Sequence, residues 1–199
     1  MTTRVDYASE NSGKAIKDYD SLEGAVAGDN GKIYGIPYGA SRINIVDTAT
    51  QISTWGEDYI TGNAPVDNDL HNPEQAGMLQ TKTYFNKYKY GALANNGSIY
   101  SHGHRARSIL KIDTSDDSAT EIPYPQIIID AMLYGGSEES ADTAKAASYG
   151  SVLGSDGRIY STPWNIPYLI WIDPSDDSIG FLDISEVCLL YTSDAADDS

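Results

Sequence analysis

The unit Gly-x-Ile-Tyr occurs three times in the chain, and this repetition constrains the fold more than any other feature. In each copy an Asp stands sixteen residues after the Gly and directly follows a Val or an Ile. The Gly and Asp positions are Gly31 and Asp47, Gly97 and Asp113, and Gly157 and Asp173. Because the same spacing recurs without a gap, the sequence predicts a repeat protein.

The first copy reads as four short strands joined by tight turns. A strand begins at Gly24, and Asp29-Asn30-Gly31 predicts a type I′ hairpin turn, since Asn and Gly tolerate positive φ. Further strands are predicted at 32–37, 43–47 and 51–55, where short apolar runs are separated by turn residues. The other two copies follow the same order, so we expect three four-stranded antiparallel sheets.

The Ile-Tyr pair of each copy predicts how these sheets pack. Successive side chains of a strand point to opposite faces of a sheet. We therefore expect the Ile side chains to be buried between sheets and the Tyr side chains to lie on the opposite face. The Ile set is Ile33, Ile99 and Ile159, and the Tyr set is Tyr34, Tyr100 and Tyr160.

A four-stranded meander repeated in this way resembles the blade of a β-propeller. The residues resemble YVTN-type and kelch-like blades, which combine an Asp/Asn-Gly turn, a short strand carrying Tyr and a Val-Ile-Asp-x-x-Thr ending. Asp29–Tyr34 and Ile45–Thr50 match, with a Gly-to-Tyr spacing one residue shorter than in the YVTN pattern. The units are also similar to repeats of uncharacterised algal and marine environmental proteins, from which no function transfers. The resemblance implies an all-β fold with about three four-stranded antiparallel blades, which form an incomplete propeller.

Blades, connections and two end segments make up the chain in this interpretation. The blades are expected at 21–55, 90–123 and 149–187, the long connections at 56–89 and 124–148, and a remnant of a preceding blade at 1–20. In the second connection, Ser137 is expected to cap a short helix that runs through Ala147.

The last segment, 188–199, resembles the translation of a transposon-type sequencing adapter. We expect it to have no native role and leave it out of the fold prediction. The single cysteine, Cys188, then carries no information on redox compartment. We also expect the chain to be a fragment of a longer protein.

The charge of the chain argues against two classes of binding partner. The formal net charge is −16, with 13 Lys and Arg residues against 29 Asp and Glu. Binding of nucleic acids and of anionic membrane surfaces depends on Lys and Arg, so we expect neither partner. No stretch approaches the roughly 20 apolar residues of a membrane span. The sequence carries no phosphate-binding loop, and we predict no cofactor.

The repeated Asp47, Asp113 and Asp173 invite a metal-site interpretation, but a structural one is favoured. An Asp at the end of a strand, followed by turn residues, accepts backbone N–H bonds and stabilises the turn. Equivalent positions on separate blades are also too far apart to share one ion. We predict that these carboxylates hold turns.

His102-Gly103-His104 is the local cluster with the greatest catalytic or metal-binding potential. Residues two apart on a strand share a face, so two imidazoles can chelate zinc or copper. A metal needs further ligands, and the third histidine, His71, lies in the first long connection. We therefore predict no metal site and keep His102 and His104 as candidate catalytic residues.

Three aromatic residues, Tyr38, Trp164 and Tyr168, fall in the predicted loops between second and third strands. In a meander these loops lie at the same end of the blade as the long connections. Binding residues concentrate on loops held by a rigid scaffold. We predict that the ligand binds at this end and contacts these three residues.

The function we favour is a binding or scaffold module for a carbohydrate or a protein surface, with no enzymatic activity of its own. The alternative is a propeller hydrolase or lyase, lactonase-like, with a metal- or His-dependent site on the same loops. His102 or His104 would then carry the reaction.

Overall fold

The computed structural model describes residues 22–58, 60–62, 87–133 and 146–186. The first sheet contains β1 (Leu22–Ala27), β2 (Lys32–Pro37), β3 (Asn44–Asp47) and β4 (Ile52–Trp55). The second contains β5 (Ala92–Leu93), β6 (Ser98–His102), β7 (Ser108–Asp113) and β8 (Ala119–Pro123). The third contains β9 (Ser148–Leu153), β10 (Ile159–Pro163), β11 (Tyr168–Asp173) and β12 (Ser178–Asp183).

All three sheets are antiparallel and keep their strands in chain order. The innermost strands contact one another, β1 with β5 and β5 with β9. The sheets are therefore successive blades around one axis, and they form an open arc. This confirms the predicted all-β fold of three four-stranded blades in an incomplete propeller.

The hairpin turns lie at the predicted places, but they are not of type I′. Gly97 has a φ of +83°, whereas Asn96 before it has no positive φ. The Gly97 N–H donates to the Ala94 carbonyl at 3.1 Å, so a tight turn ends in a glycine in the left-handed region. The Asn96 side chain accepts the Ser98 N–H at 3.0 Å, so Asn stabilises the turn through its amide oxygen.

Ile99 and Ile159 face the preceding blade, and Tyr34 and Tyr100 face the following one. Ile99 and Tyr34 lie in the apolar cluster between the first two blades, and Ile159 and Tyr100 in the cluster between the last two. All four side chains are fully buried. Ile33 is only half-buried, because no blade precedes it in the described part of the chain. The predicted burial is confirmed for Ile99 and Ile159 and is incomplete for Ile33.

The three repeated aspartates hold turns, as predicted. Asp47 Oδ1 accepts the N–H groups of Ala49 and Thr50 at 2.9 and 2.8 Å. Asp113 and Asp173 each accept both the N–H and the O–H of the serine two residues later. Hydrogen bonds, from Thr50 to Asp47 and from the serines to the other two, lower the pKa of all three carboxyl groups.

The second connection contains a helix at its beginning, whereas the sequence predicts one near its end. α1 spans Gln126–Leu133, and its Ile128 and Met132, four residues apart, are buried against the third blade. Ala146 and Ala147, predicted to end a helix, are not helical, and the rest of that prediction lies outside the described residues. No helix in the described ranges is long and apolar enough to cross a membrane.

A polar latch joins the outer part of the first blade to the second. Tyr34 Oη donates to Asp117 Oδ1 at 2.6 Å, and Lys32 pairs with the same carboxylate. Asn30 Nδ2 donates to the Thr114 carbonyl at 2.6 Å. Burial and the bond to Asp117 raise the pKa of Tyr34 to about 12.

The latch recurs between the second and third blades, except that its lysine lies on a different strand. Tyr100 Oη donates to Asp177 at 2.7 Å, and Asn96 Nδ2 donates to the Pro174 carbonyl at 2.8 Å. The lysine now comes from the neighbouring strand, since Lys111 is paired with Tyr100 in register and donates to Asp177 at 2.6 Å. Both interfaces thus keep the same charge pattern.

We expect Asp117→Gly to lower the free energy of unfolding by about 2 kcal/mol, because a buried hydroxyl and an ammonium lose their shared acceptor. Asp117 has a φ of +65°, so glycine adds no turn strain. Gln51, with a φ of +61° and an exposed side chain, holds the same turn position in the first blade, so Gln51→Gly is the control. Urea titration measures both; equal effects would show that the latch adds no stability.

Candidate functional site

Six side chains, two from each blade, lie close together where the innermost strands begin. They come from two positions of the repeat. One position lies at the start of the innermost strand or shortly before it, and the other follows the second strand by one or two residues. The same repeat offsets, 66 and 60 residues, relate the three members of each set. We call the group the axial mouth: Glu23, Lys89 and Tyr149 from the first position, and Tyr38, His104 and Trp164 from the second.

Lys89 is the centre of the axial mouth. Its Nζ lies 5.0 Å from the ring centroid of Tyr38 and 4.5 Å from that of Tyr149. The same ammonium forms an ion pair with Glu23 at 3.3 Å. Its side chain is 11% exposed. One cation is therefore held between two aromatic rings from two different blades and a carboxylate from the first.

Tyr149 joins this cation to an aromatic surface. Its ring stacks on Trp164 with centroids 4.8 Å apart and an interplanar angle of 28°. Trp164 is 57% exposed, and Tyr90 beside Tyr149 is exposed as well. A flat aromatic surface is thus open to solvent next to the buried ammonium.

Gly24 makes room for this arrangement at the axis. A Cβ atom at Gly24 would lie 2.7 Å from the Tyr90 ring, and the residue has a φ of +85°. The absence of a side chain at Gly24 therefore allows Tyr90 to approach the strand closely. At Gly150 the nearest atom to a Cβ would be 3.6 Å away, which is an ordinary contact.

His104 is the candidate catalytic residue that the structure places in the axial mouth. Its Nδ1 lies 2.5 Å from the Ser148 carbonyl, so Nδ1 carries the proton and Nε2 keeps its lone pair. Its ring meets Tyr149 edge-on at 6.0 Å. Burial lowers the pKa of His104, and the nearby charges of Lys89 and Arg105 lower it further. The imidazole is therefore neutral at neutral pH, with the lone pair of Nε2 unprotonated.

His102, in contrast, lies in the interior and not in the axial mouth. It is fully buried, and its backbone N–H and Nδ1 both lie 3.0 Å from the Ser151 hydroxyl of the next blade. Its Nε2 has no hydrogen-bond partner among the described residues. Burial lowers the pKa of His102 to about 3. Without access to solvent, this imidazole cannot meet a substrate from outside.

Tyr168 lies apart from the other predicted aromatic residues. It is the first residue of β11 rather than a loop residue, and it pairs with Asp183. Its ring packs edge-on against Phe181 at 5.3 Å in the apolar cluster of the third blade. The prediction that it lies in the loop is wrong, because β11 starts earlier than its apolar run indicates.

A line of backbone hydrogen bonds fixes the three loop positions of the axial mouth. Lys87 N–H donates to the Tyr38 carbonyl at 2.8 Å, and His104 N–H donates to the Lys87 carbonyl at 2.7 Å. Ala147 N–H then donates to the His104 carbonyl at 2.7 Å, and Trp164 N–H to the Ala147 carbonyl at 3.2 Å. The line therefore crosses all three blades and positions Tyr38, His104 and Trp164 relative to each other.

Glu121 anchors the segment that leads into Lys89. Its carboxylate accepts the Tyr88 hydroxyl and the Gly62 N–H, both at 2.6 Å. It also accepts the hydroxyl of Thr61 at 2.8 Å. Tyr88 is fully buried, so residue 89 is held at a defined place.

The sequence prediction placed Tyr38, His104 and Trp164, among other residues, at the same end of the blades. It missed Glu23, Lys89 and Tyr149. Those three carry no motif, and only their shared offset in the repeat identifies them. His71 lies outside the described residues. Within the described ranges no group of three or more His, Cys, Asp or Glu side chains can hold a metal ion.

No protein-family model and no curated protein matches the chain. Among solved structures, virginiamycin B lyase from Staphylococcus aureus aligns over 83% of the chain with a TM-score of 0.51 and 18% identity. A catalytically inactive variant of that lyase with quinupristin aligns over 86%, with a TM-score of 0.52 and 17% identity. Hydrazine synthase from Kuenenia stuttgartiensis aligns over 89%, with a TM-score of 0.52 and 12% identity.

The chain spans 42%, 44% and 40% of the length of these three structures. At such low identities the likeness shows the fold alone. Together with the three open sheets, it defines the class of the protein, which is an incomplete β-propeller.

Proposed function

We propose that the protein is a binding module on YVTN-like, kelch-like blades, and that it binds a carbohydrate at the axial mouth. The observation that carries this proposal is the stacked Tyr149–Trp164 pair, which stands exposed beside an enclosed cation. The apolar face of a sugar ring packs on a flat aromatic ring, while its hydroxyls need neighbouring polar groups. Lys89, Glu23 and His104 supply donors and acceptors within the same cluster.

The line of backbone hydrogen bonds supports this proposal. A binding site gains affinity when its groups are ordered before the ligand arrives, since less conformational entropy is lost. Tyr38, His104 and Trp164 are held by backbone bonds of 2.7 to 3.2 Å across three blades. The opposite end of the blades carries short turns whose side chains already bond to their own backbone, as Asp116 does with Ser118.

We expect Trp164→Ala to weaken binding to the recognised glycan by about tenfold or more, since exposed Trp anchors carry large shares of binding energy. The measurement is a glycan array followed by titration calorimetry with the full chain. Asp116→Ala, at the opposite end, is the matched control and should leave binding unchanged. Loss of binding in Asp116→Ala but not in Trp164→Ala would place the site on the other end.

A hydrolase or lyase is the second candidate function. It is favoured by His104, whose Nδ1–H is fixed on the Ser148 carbonyl, so that Nε2 can act as a base. The same titrations separate the two functions if product masses are followed by mass spectrometry. Turnover by the wild type that is lost in His104→Asn, with binding retained, would replace the binding module by an enzyme.

A further inference from the structure

The axial mouth differs in charge from the molecule as a whole. The chain has a formal net charge of −16. In the part of the chain that the structure describes, however, Lys89 of the axial mouth pairs with one carboxylate, that of Glu23. Close to the axial mouth, the described charges that act on His104 are the cations Lys89 and Arg105 and the carboxylate of Glu23. Among the described residues, the surroundings of this aromatic surface thus lack the excess of carboxylates that the whole chain has.

The hydrogen-bonding capacity of Lys89 is not filled. An ammonium has three N–H donors. Among the described residues, its contacts are the Glu23 carboxylate and the faces of two tyrosine rings. Rings attract the cation but accept only weak hydrogen bonds. An added carboxylate oxygen would complete the donor set of a cation that is already largely desolvated.

A cationic ligand is disfavoured for the same reason. The space between Tyr38 and Tyr149, which would suit an ammonium, already holds that of Lys89. A second positive charge would meet repulsion from Lys89, and within the described ranges no second carboxylate pairs with Lys89 to balance it. Neutral and anionic ligands remain, and the unfilled donors favour the anionic ones.

We infer that the axial mouth selects acidic saccharides, with a uronate carboxylate on Lys89 and the sugar ring on Trp164. This inference rests on the proposed binding function. A saccharide is favoured over an acidic peptide because of the surface that the axial mouth exposes. This surface is a flat pair of stacked aromatic rings whose centroids lie 4.8 Å apart. An extended peptide gains its main-chain bonds at a sheet edge instead.

The test uses trimers of galacturonate, glucuronate and mannuronate, each compared with its methyl ester. The ester keeps the ring and removes the charge. We expect at least one acid to bind about tenfold tighter than its ester, because an ammonium forms a stronger hydrogen bond with a charged carboxylate than with a neutral ester. The difference should shrink in roughly 0.5 M salt, which screens charge. Titration calorimetry with the full chain measures all of these.

Two variants assign the charge preference to its residues. Lys89→Met keeps an apolar stem between the tyrosines and should abolish the difference between acid and ester. Glu23→Gln removes the competing carboxylate and should tighten acid binding several-fold, a gain that misfolding cannot produce. If both variants leave the preference unchanged, Lys89 is not its source and the inference is wrong.

The remaining outcomes separate this inference from the proposed function. Equal binding of acid and ester, sensitive to Trp164→Ala, would keep the carbohydrate site and overturn the charge selection. Hexaglutamate that competes as well as the best uronate would reassign the mouth to acidic peptides. Binding of no saccharide, on the array or in solution, would overturn both.

Discussion

Lowering the pH from 7 to 4 is expected to reduce the free energy of unfolding by about 3 kcal/mol through His102, at 1.36 kcal/mol per pKa unit. Burial lowers the pKa of His102 to about 3 in the folded state, against about 6.5 when unfolded. Between these values the unfolded state binds a proton that the folded state does not. The stabilisation is therefore complete above pH 6.5 and is lost progressively as the pH falls towards 3.

The measurement is a series of urea titrations at half-unit pH steps. The control is His102→Asn, which keeps a hydrogen-bonding atom near the position of Nδ1 and removes the titrating ring. It should flatten the curve between about pH 6.5 and 4. The turn aspartates, whose pKa values are lowered from 3.8, add to the loss only at the acidic end of this window, and they are equally present in His102→Asn, so the difference between the two curves isolates His102.

His104 changes stability in the same direction, since burial lowers its pKa too. His104→Asn should therefore flatten the curve as well. A wild-type curve that stays level down to pH 4 would mean that His102 can be protonated without unfolding. Its buried position between the second and third blades would then have to open locally.

Gly103→Ala is expected to lower the free energy of unfolding by about 3 kcal/mol or more. An added Cβ would lie 2.2 Å from the Ala106 carbonyl oxygen and 2.6 Å from that of Ser108. Both obstacles are backbone atoms. The glycine itself is tied down, because its N–H donates to the Tyr124 hydroxyl at 2.8 Å. A shift of Gly103 would weaken its bond to Tyr124, and a shift of Ala106 would weaken the bond of its N–H to the Lys87 carbonyl at 3.2 Å.

Chemical denaturation of Gly103→Ala and Gly150→Ala gives the comparison. Gly150 lies within β9, and its nearest neighbour to a Cβ would be 3.6 Å away. We expect Gly150→Ala to change stability by less than about 1 kcal/mol. Similar losses in the two variants would show that the loop after β6 can relax around an added methyl group.

The fold was predictable because the repeat spacing determines where its strands and turns lie. The interval from Gly97 to Asp113 contains the second and third predicted strands of the blade and the loop between them, and the structure places β6 and β7 there. The turn type was not predictable from propensity alone. Asn tolerates positive φ, but here its amide oxygen accepts the N–H two residues later, as Asn96 does from Ser98.

The helix was misplaced for a related reason. Ile127, Ile128 and Ile129 are β-branched residues typical of strands, yet they lie in α1. Packing of Ile128 and Met132 against the third blade outweighs that preference. Local propensity could not show which apolar surface would be near.

Part of the candidate site could be predicted from the sequence. Exposed aromatic residues in short loops identified Tyr38 and Trp164. The residues that join them, Lys89 and Tyr149, have no local signature, and their neighbours along the chain differ. Their role depends on contacts between blades, and these follow only from comparing equivalent positions of the repeat.

The line of bonds from Tyr38 through Lys87, His104 and Ala147 to Trp164 uses main-chain atoms alone. Any residue except proline can supply the N–H groups, so the framework does not depend on which side chains it carries. At the equivalent position of this framework, the three blades already carry a tyrosine, a histidine and a tryptophan. Ligand preference can therefore diverge by single substitutions at these three positions while the blades keep their relative placement.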